Sequence, residues 1–282
     1  MNTLQFLGSL ELGMIYALVA VGVYLTFRII DFPDLTVDGS FPLGAAVASI
    51  CIIHGHNPVL ATFLSLLAGA LAGLVTAYLN THWKILGLLA SILTMTALYS
   101  INLRVMDNKP NLVIMEEPTL FQYGHVLLIL SGIVIAILLL LHLFFRSNFG
   151  LAIRGAGINP KAGAAYGISI NKVKLTTLAL SNALVALGGS LFAQSQGYAD
   201  ISMGTGTIVV GLASVILGES FLRSNSLIKA LIACVFGSLV YRLLISLALN
   251  SGELGLQASD LNLITACLVA AAMILTKMRK KT

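Results

Sequence analysis

The chain has 282 residues, of which 58% are hydrophobic and 10% charged, with a mean hydropathy of +0.97; soluble domains carry about 25% charged residues. This composition excludes a fold in water. The net charge of +5 gathers in one loop and one tail rather than along a face, so nucleic acid is excluded as a partner and a lipid bilayer is implied.

In chain order, apolar runs read against turn residues place membrane segments near 7–27, 39–54, 59–80, 85–105, 125–145, 174–196, 206–218, 226–249 and 260–276. The stretches 39–83, 118–145 and 175–199 contain no charged residue, and each holds at least one span of about 20 residues. An all-α polytopic membrane protein of about 8–9 segments follows. No basic region precedes the run from Leu4 to Phe27, which therefore reads as a retained first span.

The first span ends in an acidic, small-residue break, DFPDLTVDGS at 31–40. Pro33 and Pro42 bracket it and disfavour continuous helix. Asp34, Thr36 and Asp38 are candidates for lining a pathway; the alternative is a connecting loop whose acids face water. On the fourth segment, Ser91 and Thr94 are candidates of the same kind, within a polar set that includes Thr96, Tyr99 and Asn102. The 206–218 segment is too short to cross as a full helix and is expected to be a half-helix or re-entrant element, buried in protein or facing a wet cavity.

The loop at 146–173 is basic throughout, with Arg146, Arg154, Lys161 and Lys172 and no acid, and the tail carries Lys277, Arg279, Lys280 and Lys281. By the positive-inside rule both are cytoplasmic. Counting back puts 106–124 outside, 81–84 inside, 54–58 outside and the 31–38 break inside. Within the loop, Asn159 followed by Pro160 is a helix start and Gly167 a stop. Arg242, inside the 226–249 segment, reads as a snorkelling side chain, with an ion pair or cargo contact as the alternative. Glu11 near the start of the first span reads likewise. Cys51, Cys234 and Cys267 lie in apolar runs and read as packing residues.

The chain also resembles itself. ALVAVG at 17–22 recurs as ALVALG at 183–188, and at the same offset of 166 residues FPDLT at 32–36 falls on YADIS at 198–202. An odd number of spans separates the copies, so they run in opposite directions, an architecture common among transporters. Tyr198, Asp200 and Ser202 thereby join the pathway candidates. A single transmembrane domain over 1–282 is expected, with repeat halves near 7–145 and 174–276. No GxxxxGK[ST], HExxH, CxxC or GxSxG pattern occurs, so no nucleotide, metal or catalytic site is expected on this chain.

The order Arg154-x-x-Gly157-x-Asn159-Pro160-x-Ala162-x4-Gly167-Ile, running on through NKVK at 171–174 into a span, resembles the cytoplasmic loop of the permeases of bacterial branched-chain amino-acid and ribose-type ABC importers. The resemblance extends to 35–44, 92–98 and 211–219, and the 35–44 run looks most like a subgroup associated with aromatic amino acids. It implies that 159–167 is the coupling helix that docks on an ATPase subunit. Tyr166 and the small residues would pack on that subunit, with Arg154 and Lys161 flanking. It further implies cytoplasmic ATPase partners carrying the ATP, an extracytoplasmic solute-binding protein, a second permease copy and a place in the bacterial inner membrane. An ion-coupled secondary transporter is the alternative function, and a monosaccharide or nucleoside the alternative cargo.

Overall fold

The computed structural model describes residues 2–222 and 226–250, together with Ala266 and Ala270. The last expected segment, Cys267 and the basic tail lie outside the described residues. Ten α-helices run in chain order among those described: α1 (Thr3–Tyr24), α2 (Val37–Ile53), α3 (Pro58–Thr81), α4 (Gly87–Val105), α5 (Val126–Arg146), α6 (Asn148–Ile158), α7 (Pro160–Ala165), α8 (Ile170–Gln196), α9 (Thr207–Phe221) and α10 (Leu227–Asn250). A π-helical turn, Leu25–Ile29, extends α1, and a 3-10 turn, Ile201–Gly204, precedes α9. Among the described residues, seven stretches are long and apolar enough to cross a membrane, and α2 adds a shorter apolar helix. Helices satisfy their own backbone groups, which is what hydrocarbon demands.

One departure from all-α is a two-stranded ribbon. Asn111–Val113 (β1) pairs antiparallel with Tyr198–Asp200 (β2), Leu112 opposite Ala199. Strands this short carry no readable alternation. Tyr198 and Asp200, expected in a mere helix break, are ribbon residues.

The centre of the bundle is α8, 72% of whose best 18-residue stretch is buried, against 17% for α5. α2 and α3 pack on α8, while α9 and α10 pack on α1. These contacts rest on small residues, as expected where expelling water cannot drive helix association. A Cβ on Gly44 would overlap the Ala186 carbonyl, one on Gly69 the Asn182 carbonyl, and one on Gly189 the Phe41 carbonyl.

The internal repeat is visible in these contacts. A Cβ on Gly22 would lie 2.9 Å from the Ser181 carbonyl, and one on Gly188 would lie 3.3 Å from the Ile15 carbonyl. The 166-residue offset carries Ile15 to Ser181 and Gly22 to Gly188, so each contact is the image of the other. Asp34 Oδ1 accepts from the Thr36 N–H at 3.0 Å, and its image Asp200 Oδ1 accepts from the Ser202 N–H at 2.7 Å. Helices α1–α3 and α8–α10 thus pack as an inverted pair.

Candidate functional site

The break after α1 is only partly exposed: Asp31 and Pro33 lie at the surface, while the residues that follow turn inward. Asp31, at φ 49°, turns the chain back into the bundle, and Asp34 and Thr36 are both 0% exposed. Asp34 Oδ2 accepts from Asn182 Nδ2 at 2.8 Å, midway along α8, and Ser40 Oγ donates to Asn182 Oδ1 at 2.7 Å. Thr36 and Thr76 share a hydroxyl bond of 2.7 Å. Depth decides this arrangement: a carboxyl buried among helices requires partners, and all of Asp34's come from the neighbouring helices and the turn itself. Asp34 and Thr36 therefore fasten α2 and α3 to α8.

Asp38 stands apart from them. From the first turn of α2, its Oδ2 accepts from the Gly206 N–H at 3.2 Å and its Oδ1 from the Ile208 N–H at 2.8 Å. These are orphan donors at the start of α9, a helix end that favours a carboxylate. Gly206, at φ 81°, precedes α9 and has no side chain to cap it. The cap comes across the repeat boundary. α9 therefore begins inside the bundle against α2; the half-helix expected near 206–218 does not form, because the 3-10 turn before α9 and the run on to Phe221 make Ile201–Phe221 a 21-residue stretch long enough to cross a membrane.

Beside this junction lies a cavity of ≈ 470 Å³ between α2, α4 and the 3-10 turn, lined by Asp38, Pro42, Met95, Thr96, Tyr99, Asn102, Ile201, Ser202 and Thr205 among others. It gathers Asp38 and Ser202 from the expected pathway set. The other members are elsewhere. Ser91 Oγ donates to the Leu88 carbonyl at 2.9 Å, and Thr94 Oγ1 to the Ala90 carbonyl at 3.0 Å. Both are buried, whereas Thr96 and Tyr99 are exposed. Tyr198 sits edge-on to Phe192, and Asp200 accepts from Ser202 and Asn111. On α4 the spacing of Met95, Thr96, Tyr99 and Asn102 is the readable signal, one helical face.

The basic end of the bundle carries α6 and α7. Ser147 Oγ accepts from the Gly150 N–H and starts α6; Asn159 Oδ1 accepts from the Ala162 N–H at 3.1 Å and starts α7, with Pro160 at its first position. The short helix at 159–167 thus exists, and Gly167 at φ 81° ends it. Ile153 and Ala156 face inward, packed with Leu25, Ile29 and Phe145. On the outer side Arg154 and Lys161 are exposed, Ile158 is 89% exposed and Tyr166 88%. Two large apolar side chains this bare, next to two cations, mark a surface for contact. Gly157 is pressed on the other side: a Cβ there would overlap the Ile29 carbonyl, so the end of α6 rests on the π-helical end of α1.

An ion pair joins this end, and its pairing was not legible in sequence. Arg28, in the π-helical turn, makes a two-pronged ion pair with Glu219 on α9, Nε to Oε1 at 2.8 Å and Nη2 to Oε2. Arg28 and Arg154 line one small cavity of ≈ 170 Å³. Arg242 is half-buried, and its guanidinium lies over the Tyr16 ring, 3.9 Å from the centroid, a cation–π contact. Glu11, near the start of α1, is half-buried.

The comparisons agree with this architecture. Residues 5–277 match the family described as branched-chain amino acid transport system / permease component. The chain is 40% identical over 261 residues to the tyrosine transport system permease protein of Clostridioides difficile (strain R20291), covering 92% of this chain and 87% of that one. It is 27% identical over 231 residues to the ribose import permease protein RbsC of Bacillus subtilis (strain 168), covering 80% and 71%. In fold it resembles PsaBC from Streptococcus pneumoniae, solved in complex with Fab, with a TM-score of 0.53 at 18% identity over 95% of this chain and 90% of that one. The chain belongs to the branched-chain amino acid transport system permease family, as a multi-pass inner-membrane permease of the ABC-transporter class.

Proposed function

We propose that the chain is a single-domain transmembrane subunit of an importer for an amino acid, working by alternating access. Cytoplasmic ATPase subunits, which hold the ATP, dock on α6–α7. An extracytoplasmic solute-binding protein delivers the cargo, and a second copy of the chain completes the assembly. The observation that carries this reading is the two-sided character of the α6–α7 pair: Tyr166 and Ile158 project outward, while Gly157 bears on the Ile29 carbonyl. Pressure on the outer side passes to the end of α1 and, through Arg28 and Glu219, to α9. At its other end α9 is held by Asp38 beside the cavity. The amino-acid cargo is supported by the 40% identity to a tyrosine permease.

Affinity purification of the tagged chain from its own membranes tests the docking. The wild type retains an ATPase subunit, whereas Tyr166→Ala with Ile158→Ala loses about tenfold or more of it, since truncating a central apolar anchor costs upward of about 2 kcal/mol. Full retention by the double variant, or no ATPase with the wild type, contradicts the reading.

A further inference from the structure

The ≈ 470 Å³ cavity has a one-sided hydrogen-bonding character. Ser202 Oγ donates to Asp200 Oδ1 and Thr205 Oγ1 to the Ser202 carbonyl. Thr96 Oγ1 donates back to the Leu93 carbonyl at 2.9 Å, within its own helix. Each hydroxyl has one hydrogen, so all three offer the cavity lone pairs only. Asn102, 1% exposed, spends one of its two Nδ2 hydrogens on the Gly39 carbonyl, and its Oδ1 has no partner. Backbone N–H groups at Asp38, Gly39, Ile201, Thr205 and Gly206 are likewise engaged.

Asp38 completes the set. Each of its oxygens accepts one backbone N–H, and a carboxylate has about four acceptor sites. Among the described residues the lining includes no Arg, Lys or His. Among its side chains only the Tyr99 hydroxyl and the second Nδ2 hydrogen of Asn102 are uncommitted donors. The remaining wall, from Met95, Pro42 and Ile201, is apolar.

We propose that this cavity is a cargo subsite that selects an ammonium group and turns away anions. An ammonium brings three N–H donors and no acceptor, the complement of Asp38, Asn102 Oδ1 and the Thr and Ser lone pairs. A carboxylate or phosphate would meet acceptors and find no cation. The apolar wall takes the side chain of the cargo, and the cargo's carboxylate stays toward the open side. This rests on the reading of the chain as an amino-acid permease and adds which end of the cargo leads.

Thiol protection tests it without the ATPase. With Cys51, Cys234 and Cys267 replaced by Ala, the chain carrying Thr96→Cys is reconstituted in lipid nanodiscs and alkylated with a maleimide. L-Tyrosine and tyramine slow the reaction about tenfold, the ratio carried by one hydrogen bond to a charged group. 3-(4-Hydroxyphenyl)propionate, which lacks only the amine of tyrosine, leaves the rate unchanged. Asn102→Asp strengthens protection by tyramine, and Asp38→Asn removes it. Because Asp38 also caps α9, the Asn102→Asp arm stands alone if the Asp38 variant fails to fold. Equal protection by the amine-free acid, or protection by tyramine unmoved by Asn102→Asp, overturns the proposal. ATP-driven tyrosine uptake in proteoliposomes of the complete transporter separates the layers. Uptake without selective protection sinks the ammonium subsite alone; absence of uptake sinks the amino-acid permease reading as well.

Discussion

Two aspartates at equivalent places in the repeat have taken opposite burdens. Asp34 is sealed among α2, α3 and α8 and bonds Asn182, while Asp200 sits in a surface ribbon and bonds Ser202. Removing Asp34 strands the Asn182 amide and the Thr36 N–H inside the bundle, and a buried group left unpaired costs about 1–3 kcal/mol. Asp34→Ala is therefore expected to lower the thermal midpoint in detergent well below that of Asp200→Ala, whose partners turn to water. Equal midpoints would contradict the burial argument. The pairing of these aspartates was legible as a repeat at one offset. Their depth was not, because a break in hydropathy looks the same at a surface and inside a bundle. The same limit hid the partner of Arg242, whose stacking over Tyr16 depends on a helix more than two hundred residues away.

Among elements, α9 is the one held at both ends by the first repeat. Asp38 of α2 caps its start, and Arg28 pairs with Glu219 near its finish. The ion pair is half open to solvent, 51% and 31% exposed, so its direct contribution is about 0.2–1 kcal/mol. A double-mutant cycle with Arg28→Gln and Glu219→Gln should return a coupling energy in that range, falling as salt is raised. Strict additivity would deny the contact. The sequence pointed to a half-helix at 206–218, but the stretch that forms, Ile201–Phe221, is long enough to cross a membrane, because a 3-10 turn extends it at the start and α9 runs on to Phe221. It gave no sign of what held the helix, since an aspartate 168 residues earlier supplies the cap. The short helix at 159–167 was legible in detail because its determinants are local: an Asn cap, a proline at the first position and a stop glycine. The ribbon was not, because three-residue strands leave no pattern.

For the whole molecule, the inverted packing of α1–α3 and α8–α10 makes a bundle whose two repeats meet at α1, α8 and the Asp38 junction. The cavity opens at that meeting place, and the α6–α7 pair bears on the same frame from the basic end. A membrane protein of this class could be read from composition alone, and its family from the 154–174 motif. The residues around the cavity could not be assembled that way: they come from three separate elements, and the fourth segment's polar residues divide between two faces.

Transport driven by the docking pair is the central claim, and Gly157 isolates it. A side chain there pushes the end of α6 off the Ile29 carbonyl without touching the cavity. The direct measurement is ATP hydrolysis and labelled L-tyrosine uptake in the same proteoliposomes, for the complete transporter with wild-type chain or Gly157→Arg. The account predicts that hydrolysis continues in the variant while uptake falls by about tenfold or more, the scale of losing one strong mechanical contact. Uptake at the wild-type rate with hydrolysis intact would contradict it.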